Sequence, residues 1–278
     1  MKDYLKHTFS VDDPDLVSVI DELPLWSAPF GLKLLDTIEL KPNINALDIG
    51  CGLGFPLIEV AQRLGASSKV YGIDPWKATI DRINLKIKTY DIKNVEVIEG
   101  VAEELPFENN FFDLIVSNNG INNVEDIKLS LAECCRVSKP NAQLTITMNL
   151  EDSMIEFYDV FESTLIKNGL KDEVKKMNEQ IYSKRKPLTE IKALLSNSGF
   201  EIKSIDEDNF ILRFLDGPTM FNHYLIKYWF LDGWKSILKP KDLENIFEQL
   251  EQRLKEIAKE KGELKLTIPY VTIDCRRK

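Results

Sequence analysis

The chain has 278 residues, 44% hydrophobic and 29% charged, with 36 Lys and Arg against 45 Asp and Glu, a formal net charge of −9. This is the composition of a globular protein with material for a large core, and the acidic balance argues against a nucleic-acid footprint, which needs a basic face. Cys51, Cys134, Cys135 and Cys275 form no C-x-x-C pair and only His7 and His223 add imidazole, so no metal site is expected.

The first twenty residues, MKDYLKHTFSVDDPDLVSVI, carry four aspartates and no apolar h-region. Neither a signal peptide nor a membrane span is read there or further on, and the expected address is the cytoplasm. An aromatic segment follows, LPLWSAPFGLKLL, with Trp26 and Phe30. From Asn45 the chain alternates. NALDIG reads as a strand, and PLIEVAQRLG as a helix with Pro56 in its first turn and Gly65 at its end. KVYGID is a second strand, and WKATIDRINLKIKTY a helix with its apolar period at Ile80, Ile83 and Ile87. NVEVIEG and FFDLIVSN read as strands, DIKLSLAECCRVSK as the next helix, and AQLTITMNL as a fifth strand entered through a Pro140-Asn141 turn. Cys134 and Cys135 fall inside that helix and read as buried thiols. Strands alternating with helices imply crossover units and a mostly parallel sheet covered on both faces.

After Leu150 the rhythm changes. Helical segments are expected over roughly 151–181 and 187–198, strands at GFEIKSI and NFILRFL, and two helices over 218–262, the first aromatic. The closing LKLTIPYVTIDC reads as a strand that Pro269 directs to an edge or a bulge. Residues 239–262 balance six basic against six acidic residues, with Leu243, Phe247, Leu250, Leu254 and Ile257 at 4-3-4-3 spacing. Packing across the domain and a dimer contact both answer to that stripe, so monomer and homodimer stay open.

The most informative stretch is ALDIGCGLGFPLIEV, Ala46 to Val60, where Asp48 precedes Gly50, Gly52 and Gly54. Three readings compete. A tight strand-to-helix turn uses glycine for positive φ or close packing, but a plain turn rarely needs three alternating glycines. A nicotinamide-dinucleotide site has G-x-G-x-x-G and an acid about 20 residues on. Here the third glycine comes one residue early, and Asp48 stands where a pyrophosphate would approach. The third reading rests on a resemblance to a known family whose cofactor is cationic, which makes that carboxylate favourable, while the helix N-terminus still suits a ligand carboxylate.

LDIGCGLG resembles the first motif of class I SAM-dependent methyltransferases, D/E-x-G-x-G-x-G. S-adenosylmethionine carries an ammonium and a sulfonium in place of pyrophosphate. Asp74 ends the second strand, 24 residues after Gly50, where that family uses an acid for the ribose hydroxyls, and Pro75 and Trp76 follow where it packs apolar groups against adenine. The phrase LPF-x(4)-FDLI resembles the methyltransferase type 11 group. There the residues at Val101 and Ala102 address the adenine edge; Val101 offers only its backbone. SNNGINNV resembles the fourth-strand end of quinone-biosynthesis methyltransferases, with Asn118 at the position that meets the cofactor and Asn119, Asn122 and Asn123 nearby; a polar loop of Asx turns is the other reading. E-x-x-R-V-x-K-P-x-x-Q-L, Glu133 to Leu144, fits the same family, with Asn141 and Ala142 where it usually has Gly. The resemblance is close over about 40–150 and looser over LTEIKALLSNSGFEI and the closing strand.

The resemblance implies a Rossmann-like, doubly wound, mostly parallel seven-stranded sheet with an antiparallel edge strand, an N-terminal extension and a helical insertion. The whole of 1–278 then reads as one domain: a cap over 1–44, a cofactor-binding core over 45–150, and a substrate-side half over 151–278 with the insertion at about 218–262. Cofactor contacts are implied at Asp48, Gly50, Cys51, Gly52, Asp74, Pro75, Trp76, Val101, Ala102 and Asn118. The implied reaction moves a methyl group from S-adenosylmethionine to a small, partly apolar metabolite by in-line displacement. The sulfonium is already a good leaving group, so a general base is needed only for a protonated acceptor, and no compulsory catalytic signature is present. Trp26, Phe30, Asn119, His223 and Tyr228 are the candidates on the acceptor side. His223 reads as a base or as a structural histidine, and the aromatics as cage or core. A protein that keeps the fold for binding alone, and an NAD-dependent oxidoreductase, are the alternatives.

Overall fold

The computed structural model describes residues 2–6 and 26–278; His7 and residues 7–25 of the expected N-terminal cap lie outside the described residues. The strands β1 (Asn45–Ile49), β2 (Lys69–Asp74), β3 (Val95–Glu99), β4 (Phe112–Asn118), β5 (Ser138–Asn149), β6 (Phe200–Phe214) and β7 (Leu264–Arg277) make one sheet in the order β3-β2-β1-β4-β5-β7-β6. The pairs β1–β2, β1–β4, β2–β3 and β4–β5 are parallel, and β5–β7 is antiparallel. Strand order reverses at β1, which lies between β2 and β4. The carboxyl ends of β1 and β4 therefore flank a topological switch point, where open α/β sheets bind ligands.

Two compact units share this chain. One holds residues 26–149, 187–208 and 270–278; the other holds residues 2–6, 150–186 and 209–269. In the first, β1, β4 and β5 are buried along almost their whole length because helices cover them. Helix α1 (Asp3–Lys6) belongs to the second unit. Helix α2 (Ser27–Thr37) places Leu34, Leu35 and Ile38 in the same core as α3 (Leu57–Leu64), whose Leu57, Ile58, Val60, Ala61 and Leu64 are all buried. That spacing gives one helix face, as the sequence period requires. Helix α4 (Lys77–Thr89) follows β2 and contributes Ile83 to this core. Helix α5 (Ile127–Val137) starts at Asp126, whose carboxylate accepts the Lys128 and Leu129 N–H groups at 2.9 and 3.0 Å.

Several expectations shift in the second half. The helical stretch expected over 151–181 breaks into α6 (Ile155–Lys167) and α7 (Lys171–Lys184), because Gly169 takes φ +75° and ends the first helix. Helix α8 (Leu188–Asn197) then leads into β6, one continuous strand where two were expected. The two helices expected over 218–262 are four: α9 (Gly217–Asn222), α10 (Tyr224–Trp229), α11 (Leu231–Ile237) and α12 (Pro240–Lys261). His223 is extended and separates α9 from α10, while Pro240 forces an extended Lys239 and opens α12.

The buried stripe of α12 is Ile246, Phe247, Leu250, Leu254 and Ala258; Leu243 and Ile257 are only partly buried. A straight helix turns 3.6 residues per turn, so its buried face drifts off a strict heptad. The antiparallel strand is β7, in the pair that closes this side of the sheet: β5 and β6 flank it, and β6 is outermost. Pro269 sits one residue beyond the β5–β7 register, whose last pair is Asn149–Tyr270.

Within the second unit the aromatic residues form a core. Phe157 stacks on Trp234 with centroids 4.0 Å apart, Tyr4 stacks on Phe221 at 5.1 Å, and the Trp234 indole N–H donates to the Tyr158 hydroxyl at 3.0 Å. Among the described residues no helix is long and apolar enough to cross a membrane, and no group of three or more His, Cys, Asp or Glu side chains is placed to hold a metal.

Candidate functional site

The loop between β1 and α3 is built on positive φ. Gly50, Gly52 and Gly54 have φ of +69°, +50° and +99°, a region that strains any residue with a Cβ. Gly50 and Cys51 donate their N–H groups to the Ile73 carbonyl at 2.9 and 3.2 Å, which pins the loop to the end of β2. A Cβ at Gly50 would stand 2.9 Å from the Gly120 Cα, and one at Gly120 would stand 2.5 Å from the Ile49 carbonyl oxygen. The two glycines therefore bring the ends of β1 and β4 into backbone contact at the switch point. Gly52 differs: a Cβ there would meet no atom within 4 Å. Its positive φ serves the loop, and the space beside it is open for a ligand to approach backbone.

Asp74 clasps this loop. One carboxylate oxygen accepts the Gly52 N–H and the other accepts the Trp76 N–H, both at 2.9 Å. Thr79 bonds back to the Trp76 carbonyl at 2.6 Å and starts α4. The Gly100 N–H donates to the Asp74 carbonyl at 3.1 Å, which brings Val101 and Ala102 beside the acid. Val101 is 44% exposed and Ala102 is buried. Pro75 is exposed and Trp76 half-buried. From α4, Lys86 donates its ammonium to the Leu53 carbonyl at 2.7 Å.

Asp48 is wholly buried in β1, opposite Gly72 of β2 and Val116 of β4. Neither carboxylate oxygen is hydrogen-bonded among the described residues. Burial pushes its carboxyl well above the usual range, the Asp74 charge adds to this, and the Leu57 N–H at the start of α3 opposes it without reaching hydrogen-bond geometry. Burial also raises Asp74, against the Trp76 and Gly52 N–H groups and Thr79, which lower it. Cys51 is held in the thiol form by burial and by these two carboxylates. Its Sγ lies 2.9 Å from where a Cβ at Gly72 would stand, so Gly72 makes room for it. Cys51 is a packing element of the loop and not a thiolate.

The asparagines at the end of β4 form a connected set. Asn118 accepts from the Thr147 hydroxyl at 2.9 Å and donates to the Ser27 carbonyl at 3.1 Å. Asn119 takes φ +58°, and its side-chain oxygen accepts from Asn122 at 2.7 Å and from the Asn149 N–H at 3.1 Å. The Asn122 amide also donates to the Asn149 side chain at 2.7 Å, and Asn123 donates to the Asn119 carbonyl at 3.2 Å. Helix α2 packs on this corner: a Cβ at Gly31 would stand 2.2 Å from Phe55 of the glycine loop and 3.0 Å from the Asn118 amide nitrogen. Phe30 has no exposed surface and packs edge to face on Tyr270 and Trp26, with centroids 4.9 and 5.4 Å away. Trp26 is half-buried.

The structure thus brings Asp48, Gly50, Cys51, Gly52, Asp74, Pro75, Trp76, Val101, Ala102, Asn118 and Asn119 to the carboxyl ends of β1 to β4 in one unit. His223 and Tyr228 belong to the other unit. There the His223 ring packs against Phe214 and Tyr224, at 5.3 and 4.6 Å, with its Nδ1 buried and without a hydrogen-bond partner, and burial lowers its pKa. Tyr228 is half-buried.

Gly120 and Lys86 were not singled out from the sequence, and the Glu133–Arg136 pair was read as part of a motif without its partners. Arg136 donates to the Leu105 and Phe107 carbonyls at 2.9 and 2.8 Å, and Glu133 accepts the Leu105 N–H at 2.9 Å, which fixes the turn between β3 and β4. The E-x-x-R spacing is visible in the sequence, but its partners lie about thirty residues away.

The strand order, the open glycine loop and the acid at the end of β2 define the fold of class I SAM-dependent methyltransferases. The chain belongs to the methyltransferase-domain family, whose sequence model matches residues 40–262. A demethylmenaquinone methyltransferase from Bacillus mycoides is 35% identical over 120 residues, which is 43% of this chain and 51% of that protein. The chain thus spans about half the length of the curated relatives it matches. Two solved structures show the same fold. The YcgJ protein from Bacillus subtilis has a TM-score of 0.60 at 19% identity, covering 90% of this chain and 98% of the other. A SAM-dependent methyltransferase from Aquifex aeolicus has a TM-score of 0.52 at 21% identity, covering 71% and 92%.

S-adenosylmethionine is the cofactor of this class, and the residues fit it. A buried carboxylate without a donor complements a cation, the space beside Gly52 admits a ligand against backbone, and each Asp74 oxygen keeps lone-pair capacity after accepting one N–H.

Proposed function

We propose that this chain transfers a methyl group from S-adenosylmethionine to a small, partly apolar metabolite. One observation carries the reading: the loop N–H of Gly52 is tied to Asp74 beside open space, with the sealed carboxylate of Asp48 behind it. When bound, the cofactor supplies an electrophilic methyl group and its own leaving group. The chain's residues position and desolvate. Asp74 accepts ribose hydroxyls with the lone pairs that Gly52 and Trp76 leave free. Pro75 and Trp76 cover one face of adenine, and the Val101–Ala102 backbone meets its edge. Asp48 acts across the loop through its field, because it has no surface for contact. Asn118, already bonded on both sides, holds the loop wall and keeps one N–H for the cofactor.

Holding reactants in line lowers a barrier by roughly 7–11 kcal/mol in favourable cases. We place Trp26 and Asn119 on the acceptor side, with Phe30 as the support under Trp26, and keep His223 and Tyr228 as candidates from the helical unit. A relative named for demethylmenaquinone supports a small acceptor. We read the whole 1–278 chain as a single methyltransferase domain, a monomer or homodimer working in the cytoplasm.

The test is calorimetric titration with S-adenosylmethionine, S-adenosylhomocysteine and NAD, followed by a methyl-transfer assay on a metabolite pool. Binding of the first two, exclusion of NAD and a labelled small product support the reading. NAD binding without S-adenosylmethionine binding overturns it; binding without transfer to any pool leaves a protein that only binds.

A further inference from the structure

Arg185 is the most buried cation of the described chain without an anionic partner. Only 6% of its surface is exposed. It caps α7, and its backbone N–H donates to the Ile181 carbonyl at 2.9 Å. The guanidinium lies over the Tyr158 ring, 5.3 Å from its centroid, and donates to the Ser153 carbonyl at 3.2 Å. No Asp or Glu among the described residues pairs with it. None of its nitrogens is both sealed from solvent and without a partner, so the remaining donors reach accessible space. On the same platform Tyr158 is fixed by the Trp234 indole N–H, and Trp234 by stacking on Phe157. The ring under the guanidinium is therefore rigid.

A guanidinium has five N–H donors in a planar fork and stays charged. Buried charges are normally paired, because desolvation of a lone ion is expensive. One carbonyl and one ring face use a single N–H and one face of the plane. The unused fork is shaped for two oxygens of one anion. Lys184 and Lys186 flank it in sequence and give this end of α7 a local positive charge in a chain of net charge −9.

We propose that Arg185 anchors a small organic anion, a carboxylate or a phosphate ester, on the Tyr158 platform of the helical unit. If the anion is part of the methyl acceptor, the site deepens the function proposed above and rests on that reading. If it is a separate effector, the site stands without it.

The full chain is titrated with sodium phosphate and with sodium benzoate, against choline chloride at matched ionic strength, with melting temperature and calorimetry as readouts. Saturable binding of at least one probe beyond chloride is expected in the parent. Arg185→Gln should lose at least tenfold in affinity, and Arg185→Lys, which keeps the charge without the fork, should fall between. Absence of saturable binding in the parent overturns the proposal, as does a Gln or Lys variant that binds as tightly as the parent. If Arg185→Gln fails to fold, the Lys variant alone decides. Titration with S-adenosylmethionine runs alongside: loss of that binding in the parent sinks the methyltransferase reading and leaves the anion result readable. Anion-exchange fractionation of the metabolite pool separates the two sources. A methylated product in the anionic fraction assigns the site to the acceptor; a neutral product with phosphate-dependent turnover assigns it to an effector.

Discussion

Asp74 accepts the Gly52 N–H at 2.9 Å, so the acid at the end of β2 is a clasp of the glycine loop. Its second oxygen is tied to Trp76 in the same way. Asp74→Ala leaves both N–H groups without an acceptor and should weaken S-adenosylmethionine binding by roughly 1–3 kcal/mol, about five- to 150-fold. Asp74→Asn can serve only one of the two N–H groups, so it should recover less than half of that loss. Titration calorimetry of the three proteins checks this. An Ala variant that binds like the parent would show that the clasp has no part in cofactor binding.

Affinity for S-adenosylmethionine should rise with pH. The carboxyls of Asp48 and Asp74 are both raised, by burial first. A folded value above the unfolded one means that their stabilising contribution is fully present below the unfolded value, about 3.9, and is lost as pH rises through the folded values. A bound cation favours the charged form, so binding releases protons. Calorimetry in two buffers of different ionisation enthalpy should show that release in the parent and a smaller one in Asp48→Asn. Equal release in both would remove Asp48 from the linkage.

Two glycine substitutions should part stability from binding. Gly120→Ala drives a Cβ to 2.5 Å from the Ile49 carbonyl oxygen and must spread the ends of β1 and β4. Its melting temperature should fall, by an amount in line with overpacking costs of about 1–3 kcal/mol. Gly52→Ala meets no atom and pays only the left-handed backbone strain, roughly 1–2 kcal/mol. It should still fold, yet lose cofactor affinity at least tenfold because the methyl group fills the ligand's approach. Melting curves with and without S-adenosylmethionine distinguish them.

Trp26→Ala and Tyr228→Ala should each lower turnover several-fold while S-adenosylmethionine affinity stays within a few-fold. Phe30→Ala should instead act on stability, by roughly 3–5 kcal/mol, since its ring is wholly buried. Kinetics paired with melting curves separate the roles. A Trp26 variant with parental turnover would take that residue out of the acceptor site.

The sequence by itself determined everything in the site that is local. Strand, acid, alternating glycines and helix follow one another from Ala46 to Val60, and hydrophobic period, glycine conformation and capping act over a few residues. Asp74 was legible through the family resemblance, as an acid at the end of the strand that follows the glycine loop. What only the tertiary structure decided depends on which strands become neighbours. Because β4 lies beside β1, Gly120 meets Gly50; because β2 lies on the other side, Gly72 must yield space to Cys51. The need for either glycine is not legible locally, since each is required by a contact about seventy or twenty residues away. The same holds for Phe30, for which cage and core both stood open and which lies in the core, and for α12, whose heptad-like spacing gave way to a drifting stripe. A side chain's period tells which face is apolar. The partner that covers that face, and hence whether an aromatic ring serves ligand or core, is set by packing between segments that the sequence keeps apart.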